Sequence, residues 1–227
     1  MTQTAKKRLQ LGTVGTYHHH WLNLIWIGFF VLFYVVEHTV TENYWVSHLP
    51  ADARIPFLPG FVIPYCMWYP MLFAATMYTM LFDKDAYIRF MLFIGIGFYG
   101  SLAFCLLFPN GQDLRPAVFE HPTFFTWLLG RIYAADTNTN VLPSMHVIGC
   151  AAVFCASLDA KDLRARGVPW AVLPLSVLVS LSTVFVKQHS ILDVYVAIPV
   201  SVLLALAIYL PQLLRARREK ASAKRKP

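Results

Sequence analysis

From Val141 to His146 the chain reads Val-Leu-Pro-Ser-Met-His, and from Ser182 to Asp193 it reads Ser-Thr-Val-Phe-Val-Lys-Gln-His-Ser-Ile-Leu-Asp. A hydrophobic run follows each stretch. Ionisable residues at the edges of runs this apolar are costly, and they point to function before they point to packing. Both stretches therefore read as helix starts that carry polar groups to a common place.

The composition around them sets the class. The chain of 227 residues is 57% hydrophobic and 14% charged, with a mean hydropathy of +0.53. A soluble domain carries about a quarter charged residues. The expected fold is all-α, a polytopic membrane protein in a single membrane-embedded domain. Its motif-bearing core covers about 109–210, and 211–227 is a basic tail. Six stretches come close to the roughly 20 residues that a helix needs to cross the hydrocarbon: 21–40, 62–82, 88–108, 143–158, 170–186 and 191–210. The fourth is short. The apolar stretch after Lys6, Lys7 and Arg8 has no convincing small-residue cleavage site, so it reads as an uncleaved first span. The four cysteines, Cys66, Cys105, Cys150 and Cys155, form no CxxC pair and read as small buried hydrophobes.

Charge sets the expected orientation. The net charge is +7, yet the basic residues cluster at the chain ends and in short loops, a membrane-topology pattern and not a nucleic-acid footprint. With six spans, fifteen of the 19 lysines and arginines fall on the side of the two termini. Only Arg54, Arg115, Arg131 and Lys187 fall opposite. The positive-inside rule puts both termini in the cytoplasm. Arg115, Ser144, His146, Lys187, His189 and Asp193 then face outside, across the cytoplasmic (plasma) membrane.

The connection 109–142 is longer than an ordinary helix link, which suggests a functional loop. Within it 123–133 reads as a short interfacial helix with aromatics at headgroup level. Asp113, Asp136, Asn138 and Asn140 read as loop caps. His18, His19 and His20 point in different directions on a helix and read as an interfacial contact, not a metal site. Glu37 and His38 are expensive near the end of the first span, and neither is assigned to the site.

Pro143 suits a first helical turn. The amides of Ser144, Met145 and His146 would then point outward unpaired, where the helix dipole favours an anion such as phosphate. His146 is placed to give a proton to a leaving alkoxide. The i, i+4 spacing of His189 and Asp193 puts both on one helix face. The carboxylate would fix the tautomer and leave the other ring nitrogen as a directed nucleophile or base. Arg115 and Lys187 supply charge for the oxygens of a transferring phosphoryl group. No cluster has the carboxylates or open ligand set of a catalytic metal site. A protease dyad of Ser144 with a histidine would leave Asp193 and Arg115 without a role.

Leu114-Arg115-Pro116, Pro143-Ser144-Met145-His146 and Ser182 through His189 to Asp193 resemble the three motifs of the type 2 phosphatidic acid phosphatase superfamily. Phe108 stands where the first motif has lysine, Met145 where the second usually has glycine, and Thr183 where the third has arginine. Lys-Gln-His after a Ser-Thr pair is similar to the divergent branch that includes inositol phosphorylceramide synthase-like proteins. The resemblance implies a six-helix membrane bundle, a metal-independent reaction without cofactor and a phosphohistidine intermediate. It makes His189 the nucleophile, Asp193 its orienting partner and His146 the general acid. Arg115 and Ser144, with the helix start at Met145, become phosphate ligands. The implied activity is hydrolysis of a lipid phosphate or lipid pyrophosphate drawn from the surrounding membrane. The alternatives are transfer of a phosphorylated head group between lipids, and a transporter or scaffold whose site has decayed.

Overall fold

An apolar run in lipid satisfies its backbone internally as a helix, and helix dominates the computed structural model, which describes residues 18–40 and 42–223. The basic run Lys6, Lys7 and Arg8 lies outside the described residues, as do Lys224, Arg225 and Lys226. A 3-10 turn at His18–Asn23 leads into α1 (Leu24–Thr39). The chain continues through α2 (Val62–Cys66), α3 (Trp68–Phe82), α4 (Lys84–Leu107), α5 (Phe124–Ala135), α6 (Met145–Asp159), α7 (Lys161–Ala165), α8 (Val168–Phe185) and α9 (Ile191–Ala223). Local chemistry sets several boundaries. Asp83 caps α4 by accepting from the Ala86 amide at 3.1 Å, and Thr123 with Thr126 forms a reciprocal capping box at the start of α5. Gly167, at φ 73°, makes the left-handed turn into α8.

Five helical stretches are long and apolar enough to cross a membrane: His19–Thr39, Pro59–Phe82, Lys84–Leu107, Val168–Phe185 and Ile191–Gln212. The fourth of the six expected spans is α6, with 15 residues. At 1.5 Å per residue it is roughly 22 Å long, short of a full crossing. Its position accounts for that: α6 packs against α3, α4, α8 and α9, so protein and not lipid surrounds it. Phe93, Ile94, Phe98 and Leu102 of α4 and Ile148 and Ala152 of α6 are fully buried in this centre. Gly97 lets the helices approach, since a Cβ there would stand 2.7 Å from Ile148. Polar side chains in the interior bond to backbone carbonyls: Thr76 to Leu72, Ser101 to Gly97 and Ser201 to Ala197.

At one end of the bundle the loops after α1 and α4 are tied together. Strand β1 (Trp45–Val46) runs parallel to β2 (Asn110–Gly111), with Trp45 opposite Asn110 and Val46 opposite Gly111. Asn110 is fully enclosed, and its Oδ1 accepts from the amides of Val141 and Leu142 at 3.0 and 2.8 Å. The segment before α6 is thereby fixed to the segment after α4. At the opposite end Arg89 bonds Asp159 at 2.6 Å, and the basic residues Lys84, Lys161 and Arg164 lie there as well.

Candidate active site

Helices α6 and α9 start side by side, because the amide of Ser144 donates to the carbonyl of Asp193 at 3.2 Å. The first helical residue of α6 is Met145, with Ser144 as N-cap, so Pro143 precedes the helix instead of opening it. Of the three amides expected to be unpaired, that of Ser144 is taken. Those of Met145 and His146 have no partner among the described residues. The Ser144 hydroxyl is completely buried and also unpartnered.

His189 lies in the turn between α8 and α9 and not on a helix face as expected; α9 begins at Ile191. Its Nδ1 nevertheless meets Asp193 Oδ2 at 3.2 Å, because Asp193 stands in the first turn of α9 and reaches back along the chain. The same oxygen accepts from the Ser190 amide at 2.9 Å, and Oδ1 accepts from the Ser47 hydroxyl at 2.5 Å. Asp193 is therefore fully enclosed and held by three donors, which fixes the His189 ring with Nε2 free. The turn that delivers His189 is strained at Lys187, a non-glycine residue with φ 54°. Lys187 is pinned there: its Nζ donates to the carbonyl of Ile55 at 2.6 Å, and its own carbonyl accepts from Gln112 at 3.1 Å.

The His146 ring sits between Tyr65 and Trp68, with centroids 4.5 and 4.4 Å away, and the His189 ring lies edge-on to it at 5.5 Å. Trp68 donates from Nε1 to the His146 carbonyl at 3.1 Å. This approach requires Gly149, where a Cβ would stand 2.6 Å from Trp68 Nε1. His146 Nε2 is buried and has no partner among the described residues.

His146, His189 and Met145 line a cavity of about 260 Å³. Its apolar wall is built from Phe29, Phe30 and Phe33 of α1 with Trp68 and Tyr69 of α3. Phe30 and Tyr69 are also more than half exposed on the outer apolar surface. Its polar wall is formed by Glu37, Asp136, Thr137, Asn140 and Gln188.

The two expected cationic ligands stand behind the wall. Arg115 Nη1 donates to the carbonyl of Asp136 at 2.9 Å, and Nη2 donates to the carbonyl of Thr137 and to Gln188 Oε1. Its guanidinium lies 4.5 Å from the centre of the Tyr133 ring, and its Nε has no partner among the described residues. Burial lowers the pKa of both Arg115 and Lys187 from their ordinary values. Of the seven expected site residues, His146, His189 and Met145 meet at the cavity. Asp193 supports His189, Ser144 stands at the helix start, and Arg115 and Lys187 hold the loops.

Several residues that matter were not read from the sequence. Ser47 reaches Asp193 across a separation that no local pattern encodes. Asp52 accepts from the Ile191 amide at 2.8 Å and the Ser190 hydroxyl at 2.9 Å, so it caps α9 from a distant loop. Glu37 had a signal, an ionisable residue inside an apolar span. It accepts from Asn140 Nδ2 at 2.9 Å and from the Thr137 amide at 3.1 Å. Asp136 and Asn140 are wall residues as well as loop residues. His38 instead faces outward, with its Nδ1 2.7 Å from the Tyr34 carbonyl. All four cysteines are free, and the described residues contain no group of three or more His, Cys, Asp or Glu able to hold a metal. No protein-family model, curated protein or solved structure matches the chain.

Proposed function

We propose that the protein is a membrane-embedded, metal-independent enzyme that cleaves a lipid phosphate or lipid pyrophosphate through a phosphohistidine. We also propose that it belongs to the type 2 phosphatidic acid phosphatase superfamily, as its three motifs suggest. The observation that carries this reading is the pairing of His189 with Asp193 at 3.2 Å, with the His146 ring 5.5 Å away across one cavity. The His189 Nε2 lone pair attacks phosphorus, and the P–O bond to the leaving group breaks. The leaving alkoxide takes a proton from His146. Water then attacks the phosphohistidine, gives its proton to His146, and the P–N bond breaks. The carboxylate of Asp193 keeps Nδ1 protonated and stabilises the charge that forms on the ring. The amides of Met145 and His146, two residues that line the cavity, are the donors available to the phosphoryl oxygens.

A second reading, transfer of a phosphorylated head group to an alcohol, uses the same steps with the alcohol in place of water. It is favoured by the engagement of Arg115 and Lys187 elsewhere and by the carboxylates of Glu37 and Asp136 in the wall. Both suit a singly charged diester better than a dianionic monoester.

In the same reading α6 joins the five long helical stretches as a membrane segment, both termini are cytoplasmic and the cavity opens outside. The charge asymmetry of the loops supports this orientation. In sealed cells an impermeant thiol reagent should label Val118→Cys and not Lys161→Cys; the reverse pattern would invert the assignment.

The chemistry is tested by leaving-group dependence. His189→Ala should abolish turnover of every substrate. His146→Ala should lose about 10²–10⁴-fold on alkyl phosphates and be partly rescued by p-nitrophenyl phosphate, whose leaving group needs no proton. Rescue of the His189 variant instead would exchange the two roles.

A further inference from the structure

The polar wall of the cavity is rich in acceptors. Glu37 Oε1 receives one bond, from Asn140, and so has a lone pair to spare. Asp136 Oδ2 receives one long bond, 3.3 Å, from Gln188, and Oδ1 receives none from the described residues. Independently of these carboxylates, Asn140 is 4% exposed, lines the cavity, and its Oδ1 has no donor among the described residues. A buried carbonyl oxygen without a donor is costly and calls for one from a ligand. The donors of Lys187 and the Nη groups of Arg115 are held by carbonyls and Gln188, so none of them turns to meet these acceptors.

We propose that the corner formed by Glu37, Asp136 and Asn140 binds a primary ammonium group, so that the lipid presented to His189 is an aminoalcohol phosphodiester of the phosphatidylethanolamine type. This rests on the second form of the phosphohistidine reading, in which the substrate is a phosphodiester, and names its substrate class. The two ends of the cavity then match the two ends of a zwitterionic head group. The helix start and His146 meet the phosphodiester, and the acceptors meet the ammonium. A primary ammonium supplies N–H donors to Asn140 Oδ1, which a trimethylammonium cannot. Attack by His189 forms a P–N bond and breaks the P–O bond to diacylglycerol, whose alkoxide takes the proton from His146. Water or an alcohol then releases phosphoethanolamine or its ester and regenerates His189.

The test uses the full chain in detergent micelles containing short-chain phosphatidylethanolamine, phosphatidylcholine, phosphatidylglycerol or phosphatidic acid. Release of the water-soluble product is measured for each. Phosphatidylethanolamine should be cleaved with kcat/KM at least tenfold above phosphatidylglycerol, which has the same diester charge and no ammonium, and also above phosphatidylcholine. Glu37→Gln should lower the ratio of phosphatidylethanolamine to phosphatidylglycerol cleavage about tenfold. The ratio does not depend on the fraction of protein folded, and Asp136→Asn gives the same test if Glu37→Gln yields no protein. Equal cleavage of the phosphatidylcholine substrate would overturn the assignment of N–H donors. A preference for phosphatidylglycerol or phosphatidic acid, lost in His189→Ala, would overturn this inference and leave the proposed function standing. Absence of turnover on all four lipids would overturn this inference, and the proposed function with it if a lipid pyrophosphate is also left uncleaved.

Discussion

The hydroxyl of Ser47 donates to Asp193 Oδ1 at 2.5 Å, so the carboxylate behind His189 is itself held from the loop that follows α1. Both residues are completely buried. Without this donor the carboxylate oxygen would be unpaired, at a cost of about 1–3 kcal/mol. Ser47→Ala should lower kcat roughly ten- to a hundredfold with little change in KM. Ser47→Thr should restore most of the rate. A wild-type kcat in Ser47→Ala would remove Ser47 from the site.

Gly149→Ala should disturb the site from within the helix packing. The added Cβ would stand 2.6 Å from Trp68 Nε1, and an indole held by neighbouring rings cannot swing clear. Overpacking of this kind costs typically about 1–3 kcal/mol. It would also shift the ring that flanks His146. A lower melting temperature in detergent together with reduced kcat is expected. Wild-type values of both would mean that Trp68 does not position His146.

The carboxyl of Asp136 is pushed up to about 6, first by burial and then by the charge of Glu37. Arg115 and His189 act in the opposite direction, and the phenols of Tyr65 and Tyr69 also face this group. Because its folded-state pKa lies above the unfolded value, the native protein holds this proton more tightly. That stabilisation is complete below about pH 4 and lost above about pH 6. Relative to Asp136→Asn, the wild type should lose roughly 1–3 kcal/mol of stability between these limits, after allowance for screening by water in the cavity. The preference for an ammonium head group should grow over the same range as Asp136 ionises. Melting curves and the substrate ratio at pH 5 and 7 check both, and a stability difference that grows with pH would contradict the assignment.

Activity should persist in EDTA. The groups that face the cavity are two histidines, a carboxyl pair tied to Thr137, Asn140 and Gln188, and backbone amides, and they form no ligand set for a catalytic ion. Loss of turnover on chelation, restored by a divalent cation, would rule out the phosphohistidine route.

The parts of the molecule that follow local rules were legible in the sequence. Apolar runs located the long helices, the aromatic stretch 123–133 announced α5, and the short run after Ser144 announced α6. The closeness of His189 and Asp193 followed from their spacing, though the helix assumed to join them begins only at Ile191. What depends on loops meeting in space was not legible. Ser47 and Asp52 lie in a segment without periodicity, and their partners stand near the other end of the chain. Arg115 was read by charge and by the motif it stands in, and Lys187 by charge. Whether a cation faces a ligand or a row of carbonyls depends on how the 109–142 connection folds, and charge carries no information about that. Glu37 was visible as an anomaly in an apolar span, but its meaning needed Asp136 and Asn140 beside it.

The most direct measurement is to trap the covalent intermediate. Protein mixed with a lipid substrate and quenched within one turnover should carry the phosphoryl group, or the phosphoryl group with its head group, on a histidine. The adduct should be stable to base and labile to acid, and peptide mass spectrometry should map it to His189. It should be absent from His189→Ala and persist longer in His146→Ala, where an activated substrate still forms the adduct but its hydrolysis lacks a base. An adduct on His146 or Ser144, or full turnover by His189→Ala, would contradict the account.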